Sequence, residues 1–166
     1  MIVHLTPGAA VVVSSVAWAL IGVVSGFVMS RVPLDRLDHD TWLTRPRRFE
    51  DDGRVYERRL RIRLWKERLP ELGDLFPGGR SKSRLGGTGD AALRRYEAET
   101  RRAEIVHWIN AAAGPLFLLW CPPGIGAVMV VFGLVVHLPF VFIQRSNRAQ
   151  IERVLASRQE RSRPSS

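Results

Sequence analysis

The sequence predicts a mainly α-helical integral membrane protein, and three observations carry that reading. Charge is segregated: residues 5–30 and 105–143 hold no Asp, Glu, Lys or Arg, whereas 19 of the 25 Lys and Arg lie in residues 31–104 and six in residues 144–166. The charge-free stretches are long enough for helices to cross a bilayer. A C-P-P-G turn at residues 121–124 splits the second stretch into an outgoing and a returning run. Together these give one membrane domain with three transmembrane helices over residues 9–30, 105–121 and 125–143, a basic segment at 31–104 and a polar tail at 144–166.

The first span is the plainest. Residues 9–30 are apolar or small, and 22 residues make about 33 Å of helix. A cleaved signal peptide would need a basic start and a shorter apolar run, so the helix is expected to be retained. Gly22 and Gly26 form a G-x-x-x-G that lets another helix approach.

At Arg31 the character reverses, with Pro33 and Pro46 as breakers. Residues 58–66, R-R-L-R-I-R-L-W-K, alternate basic and apolar side chains, which suits either a short strand or an interfacial basic helix. Residues 73–90 are rich in Gly and read as a mobile loop. Its G-G-T-G-D lacks the preceding strand and following Lys-Ser/Thr of a nucleotide loop.

Asp90 is placed to cap a helix in which Glu97 and Arg101 form an i,i+4 pair. No breaker intervenes before Pro115, so that helix is expected to run from polar surroundings into the bilayer and end near Cys121, with Trp120 in an aromatic belt. The third span carries His137 and is followed by an amphipathic tail helix reaching about Arg158. Three spans place the N-terminus and the C-P-P-G turn on a side with no Lys or Arg, and every basic residue on the other. This is the positive-inside pattern of an N-out, C-in protein.

Composition narrows the function classes. The net charge of +9 is spread as +5 over residues 31–104 and +4 over the tail, with 14 acidic residues interleaved in the former. That pattern, without a recognition motif, argues for anionic lipid headgroups as partners and against nucleic acid. The single Cys121 excludes an intramolecular disulfide, and no H-x-x-x-H or carboxylate cluster supports a metal. No cofactor is expected.

Candidate chemistry gathers at the cytoplasmic leaflet, where three helix ends are expected to converge. His107 is the group there whose ordinary pKa, about 6.5, suits proton transfer near neutrality. Glu104, one turn earlier, is expected to bond one ring nitrogen and orient the imidazole. Arg145 and Arg148 lie across the gap and can hold a phosphate or an oxyanion. His137, deeper in an apolar run, is expected to bond helix to helix.

Two blocks then show a specific resemblance. T-R-R-A-E-I-V-H-W-I at residues 100–109 and P-F-V-F-I-Q-R-S-N-R at residues 139–148 resemble the signature regions of the glycosyl-4,4'-diaponeurosporenoate acyltransferase family. Those are small membrane proteins that complete a staphyloxanthin-type pigment by placing a fatty acyl group on the sugar of a carotenoid glycoside. R-V-P at 31–33, F-E-D-D-G at 49–53 and L-W-K at 64–66 extend the likeness. The resemblance implies an O-acyltransferase of the bacterial cell membrane, with Arg102, Glu104, His107, Trp108, Gln144, Arg145, Asn147 and Arg148 as motif positions. Its implied partners are an acyl thioester donor, on coenzyme A or a carrier protein, and a glycosylated lipid acceptor. Within that frame His107 and Glu104 are the expected catalytic pair, and the other six bind substrate. The alternative is a non-enzymatic membrane scaffold or lipid-binding subunit in which the histidine is structural.

Overall fold

A computed structural model describes residues 5–66 and 89–163. Its elements are α1 (Pro7–Ser30), three short 3-10 turns (Leu34–Leu37, Arg48–Glu50 and Ile62–Leu64) with α2 (Arg54–Arg58) between the second and third, α3 (Asp90–Ala113), a 3-10 segment (Gly114–Leu119) and α4 (Pro123–Arg161). The fold is mainly helical, as the sequence predicts, and no strand forms among the described residues.

Helix α1 begins where Pro7, which has no N–H to satisfy, occupies the first turn behind the Thr6 cap. It ends at Ser30, where charge begins. The expected close approach at Gly22 is made by α3. A Cβ on Gly22 would lie 3.7 Å from Asn110 Oδ1, and Asn110 Nδ2 donates to Ser25 Oγ at 2.8 Å.

Gly89, not Asp90, caps α3; Asp90 sits one residue inside, in the first turn, and accepts from Arg158 at 2.7 Å. The Glu97–Arg101 pair forms as expected. The α-helical ladder stops at Ala113, earlier than expected, because Pro115 lacks the N–H that would continue it, and the chain goes on as a 3-10 segment. The 3-10 rise of about 2.0 Å per residue stretches residues 105–119 to roughly 25 Å, longer than α-helix alone would reach. Trp120 is half-buried and donates to Ser14 Oγ at 3.2 Å, which fixes this segment to α1.

Helix α4 differs most from the sequence expectation. The third span and the tail helix are one continuous 39-residue helix, about 58 Å long, with Pro139 inside it. It packs along α3 and against the 3-10 segment. Gly133 admits the Trp18 ring between α1 and α4: a Cβ there would lie 2.8 Å from that ring. Trp18 in turn stacks on Phe117 with centroids 4.8 Å apart, above the core of Ala10, Phe117 and Cys121.

Two helices, α1 and α4, are long and apolar enough to cross a membrane. Little of their apolar length is covered by protein, and Val12, Val16, Leu20 and Val24 of α1 with Val128, Val131 and Val135 of α4 lie exposed. The segment 105–121 does not stand as a third helix of that kind, because its α-helix shares a body with the charged residues 90–104.

The polar segment 31–66 folds as short turns against the distal parts of α3 and α4. Neither the strand nor the continuous interfacial helix expected for residues 58–66 forms. Ile62 alone is fully buried there, Leu60 and Leu64 stay exposed, and Arg61 takes a left-handed backbone (φ 45°) that interrupts both. Asp51, Asp52 and Gly53 also have positive φ, and a Cβ on Gly53 would meet the Ala149 Cβ at 2.4 Å. Glycine there lets this turn lie directly on α4. Of the expected 73–90 loop, residues 73–88 fall outside the described residues.

Candidate functional site

The geometry separates residues that stand side by side in sequence. On α3, Arg101, Glu104 and Trp108 fall at i, i+3 and i+7, so they share one face, and that face meets Arg145 and Arg148 of α4. Glu104 is fully buried. Its Oε1 accepts from Arg145 Nε at 2.7 Å and from Trp108 Nε1 at 3.2 Å, and its Oε2 accepts from Arg148 Nη1 at 2.8 Å.

The rest of each guanidinium is taken up by the polar segment. Arg145 donates to Glu50 and, at 2.8 Å, to the Leu43 carbonyl. Arg148 donates to the Thr44 carbonyl at 2.6 Å, and its Nε lies 3.9 Å from Asp40. Asp40 also accepts from Arg101 Nε at 2.8 Å. Burial works against the Arg145 charge, but Glu104 and Glu50 outweigh it and its pKa is raised, so it remains a cation. Burial, followed by the Glu50 charge, pushes the neighbouring Tyr56 phenol up as well, so it stays neutral.

Glu104, Arg145 and Arg148 thus come together as the sequence predicts, but with different work. Both Glu104 oxygens are committed to arginines and an indole, and the expected Glu104–His107 bond is not made. The Glu104 partner further along α3 is the Trp108 indole, not the imidazole. Likewise every assigned donor of Arg145 and Arg148 points at the protein itself, so these two are not poised to take a substrate anion directly.

His107 belongs to a second cluster. Its Nδ1 lies 3.2 Å from His137 Nδ1, and its ring stacks on Phe140 with centroids 4.7 Å apart. The helix-to-helix bond expected of His137 is therefore formed, and its partner is His107. Trp18 lies beside His137 at 5.8 Å between centroids. An imidazole pair at this distance shares one proton, which fixes the tautomers of both rings relative to each other.

The remaining candidates are dispersed. Arg102 turns away from the network: its Nη1 donates to Glu99 and its Nη2 to the Val32 carbonyl at 2.6 Å. Trp108 joins the network through Glu104, Asn147 is buried next to Arg148 in sequence, and Gln144 is half-buried. Glu50 and Asp40 were not singled out in the sequence. The F-E-D-D-G block holds the signal, since Glu50 is buried while Asp51 and Asp52 are exposed. Among the described residues no group of three or more His, Cys, Asp or Glu could hold a metal ion.

Comparison with known proteins places this arrangement. Residues 39–157, which contain both clusters, match the sequence profile of the glycosyl-4,4'-diaponeurosporenoate acyltransferase family. A relative of that name from Staphylococcus haemolyticus is 28% identical over 113 residues, covering 68% of this chain and 66% of that protein. One from Staphylococcus aureus is 25% identical over 116 residues, covering 68% of this chain and 70% of that protein. No solved structure matches. With the match extending from the polar segment through both clusters into the distal half of α4, the chain belongs to the glycosyl-4,4'-diaponeurosporenoate acyltransferase family.

Proposed function

We propose that the protein is a membrane O-acyltransferase that moves a fatty acyl group from an acyl thioester to a sugar hydroxyl of a glycosylated carotenoid or related glycolipid, with His107 as general base. Family membership supports acyl transfer. The observation that carries the residue assignment is the His107–His137 contact, which holds a proton acceptor at the α3–α4 seam with neither a carboxylate nor a guanidinium bonded to it.

The mechanism uses the tautomer in which His107 Nδ1–H donates to His137 Nδ1, which leaves His107 Nε2 with its lone pair free. That nitrogen takes the proton of the sugar hydroxyl as its oxygen attacks the thioester carbonyl. The tetrahedral intermediate collapses with cleavage of the C–S bond, and the proton passes to the departing thiolate. The products are an ester and a free thiol. Glu104 serves at one remove, by locking Arg145 and Arg148 and hence the register of α4 against α3. Gln144 and Asn147 supply amides for the sugar, and Trp108 an apolar wall.

The membrane reading is three spans, N-out and C-in, with residues 105–121 crossing as a composite of α-helix and 3-10 segment. The exposed apolar faces of α1 and α4 support it, as does the confinement of all Lys and Arg to one side of the scheme. The reacting centre then lies on the cytoplasmic-leaflet side of the bilayer, accessible to a membrane-dissolved acceptor.

One observation favours a second reading, a non-enzymatic lipid-binding scaffold: the charged network is closed upon itself. Incubating the detergent-solubilised protein with labelled acyl-coenzyme A and a glycolipid extract separates the two. Label is expected on a sugar lipid, falling by about 10²- to 10⁴-fold in a folded His107→Ala variant. Equal transfer by both proteins removes His107 as base, and no transfer by either across several donors leaves the scaffold.

A further inference from the structure

A cleft of about 640 Å³ opens where the end of α1 and the turn after it meet the first half of α3, lined in part by Arg31, Val32, Arg94, Arg95, Glu99 and Arg102. Its arginines differ from those of the buried network. Arg94 and Arg95 are exposed, and among the described residues neither has an ion-pair or hydrogen-bond partner. Arg31 is held by a cation–π contact, its guanidinium carbon 4.6 Å from the Phe27 ring centroid, which leaves its N–H donors outward.

Arg102 supplies the inner wall. Its two terminal nitrogens are bonded, but its Nε is buried without an acceptor. A buried N–H left unmatched is costly, so this atom favours an incoming acceptor. Carboxylates also line the cleft, and they are engaged: Asp35 accepts the Arg36 backbone N–H, Asp38 bonds His39, and Glu99 is shared with Arg102. The unspent groups are therefore cationic forks, whose geometry matches a phosphate.

We propose that this cleft holds the phosphate-bearing end of the acyl thioester donor. The assignment rests on the acyl-transfer reading above and names the donor class. From Arg95 to His107 the helix rises about 18 Å, so a donor that reaches both must separate its phosphate from its thioester by a long flexible arm, as a phosphopantetheine carrier does. An anionic lipid headgroup offers the same phosphate chemistry from another source.

The test uses the full chain in nanodiscs of phosphatidylcholine, with coenzyme A as the binding probe, and three proteins: wild type, Arg94→Gln/Arg95→Gln and His107→Ala. Binding that survives His107→Ala and weakens at least tenfold in the double variant is expected, with a tenfold higher KM for acyl-coenzyme A and kcat within twofold. Arginine-sensitive binding without turnover in any protein keeps the cleft and sinks the transfer reading. If the double variant binds coenzyme A as well as wild type does, the proposal is overturned. It is also overturned if coenzyme A fails to bind while wild type alone enriches phosphatidylglycerol from mixed discs, because the phosphate then comes from the lipid.

Discussion

Glu104 and His107 lie one turn apart on α3 and live in different chemistries. Around Glu104 both carboxylate oxygens are bonded: Arg145, Arg148 and Trp108 close on it, and Glu50, Asp40 and two backbone carbonyls close on the arginines. Around His107 the neighbours are His137 and Phe140, and one ring nitrogen is left uncommitted. Charge density is thus a poor guide to reactivity here. A buried ionic cluster whose members are bonded to one another holds two helices in register, whereas the reactive atom is sought where an imidazole keeps one nitrogen open.

The comparison breaks most readily at Glu104. Glu104→Gln leaves Arg145 with Glu50 and buried Arg148 with only Asp40, 3.9 Å away and already bonded to Arg101, and a stability loss of about 3–5 kcal/mol is expected in detergent unfolding. A Glu104→Gln protein that unfolds like wild type but fails only in transfer would place Glu104 with the chemistry and erase the distinction. Gly133→Val comes next, at about 1–3 kcal/mol, because its branched side chain must displace the Trp18 ring that flanks His137. Thermal unfolding reads it.

On the other side, His137→Phe keeps an aromatic ring at the seam and is expected to cost less than about 1.5 kcal/mol while lowering kcat and altering its pH profile. A flat kcat would mean that His137 only packs. The smallest effect sharpens the network's outer edge. Burial, followed by the charge of Glu97, raises the Glu152 pKa above its usual value. A carboxyl whose folded pKa is raised favours the fold at low pH and loses that contribution as pH climbs through the folded value. Glu152→Gln is therefore expected to stabilise by about 0.5 kcal/mol at pH 7, with the gain vanishing in acid.

The parts legible in the sequence are those set by composition along one segment. Charge segregation gave the limits of α1 within two residues, and i,i+4 spacing gave Glu97–Arg101. The meeting of Glu104 with Arg145 and Arg148 followed from folding the C-P-P-G turn back on itself. The missed features all depend on partners far along the chain. Glu50 and Asp40 have no periodic context, and only the tertiary fold brings them to α4 from positions 95 and 108 residues earlier. The alternation at 58–66 imitates a strand, but no neighbouring strand exists among the described residues to complete a ladder. The continuity of α4 from the third span into the tail helix was missed because polarity marks where a helix leaves an apolar phase and not where its hydrogen bonds stop.

The sequence distances inside the network also set an order of assembly. Glu104 emerges 41 residues ahead of Arg145 and 44 ahead of Arg148, and the loop carbonyls of Leu43 and Thr44 wait 102 and 104 residues for the same two donors. During synthesis, therefore, Glu104 and Glu50 lack their arginine partners until the last helix is being made. Asp40, Leu43, Thr44, Glu50 and Glu104 can then close on Arg145 and Arg148 only as a late, joint step.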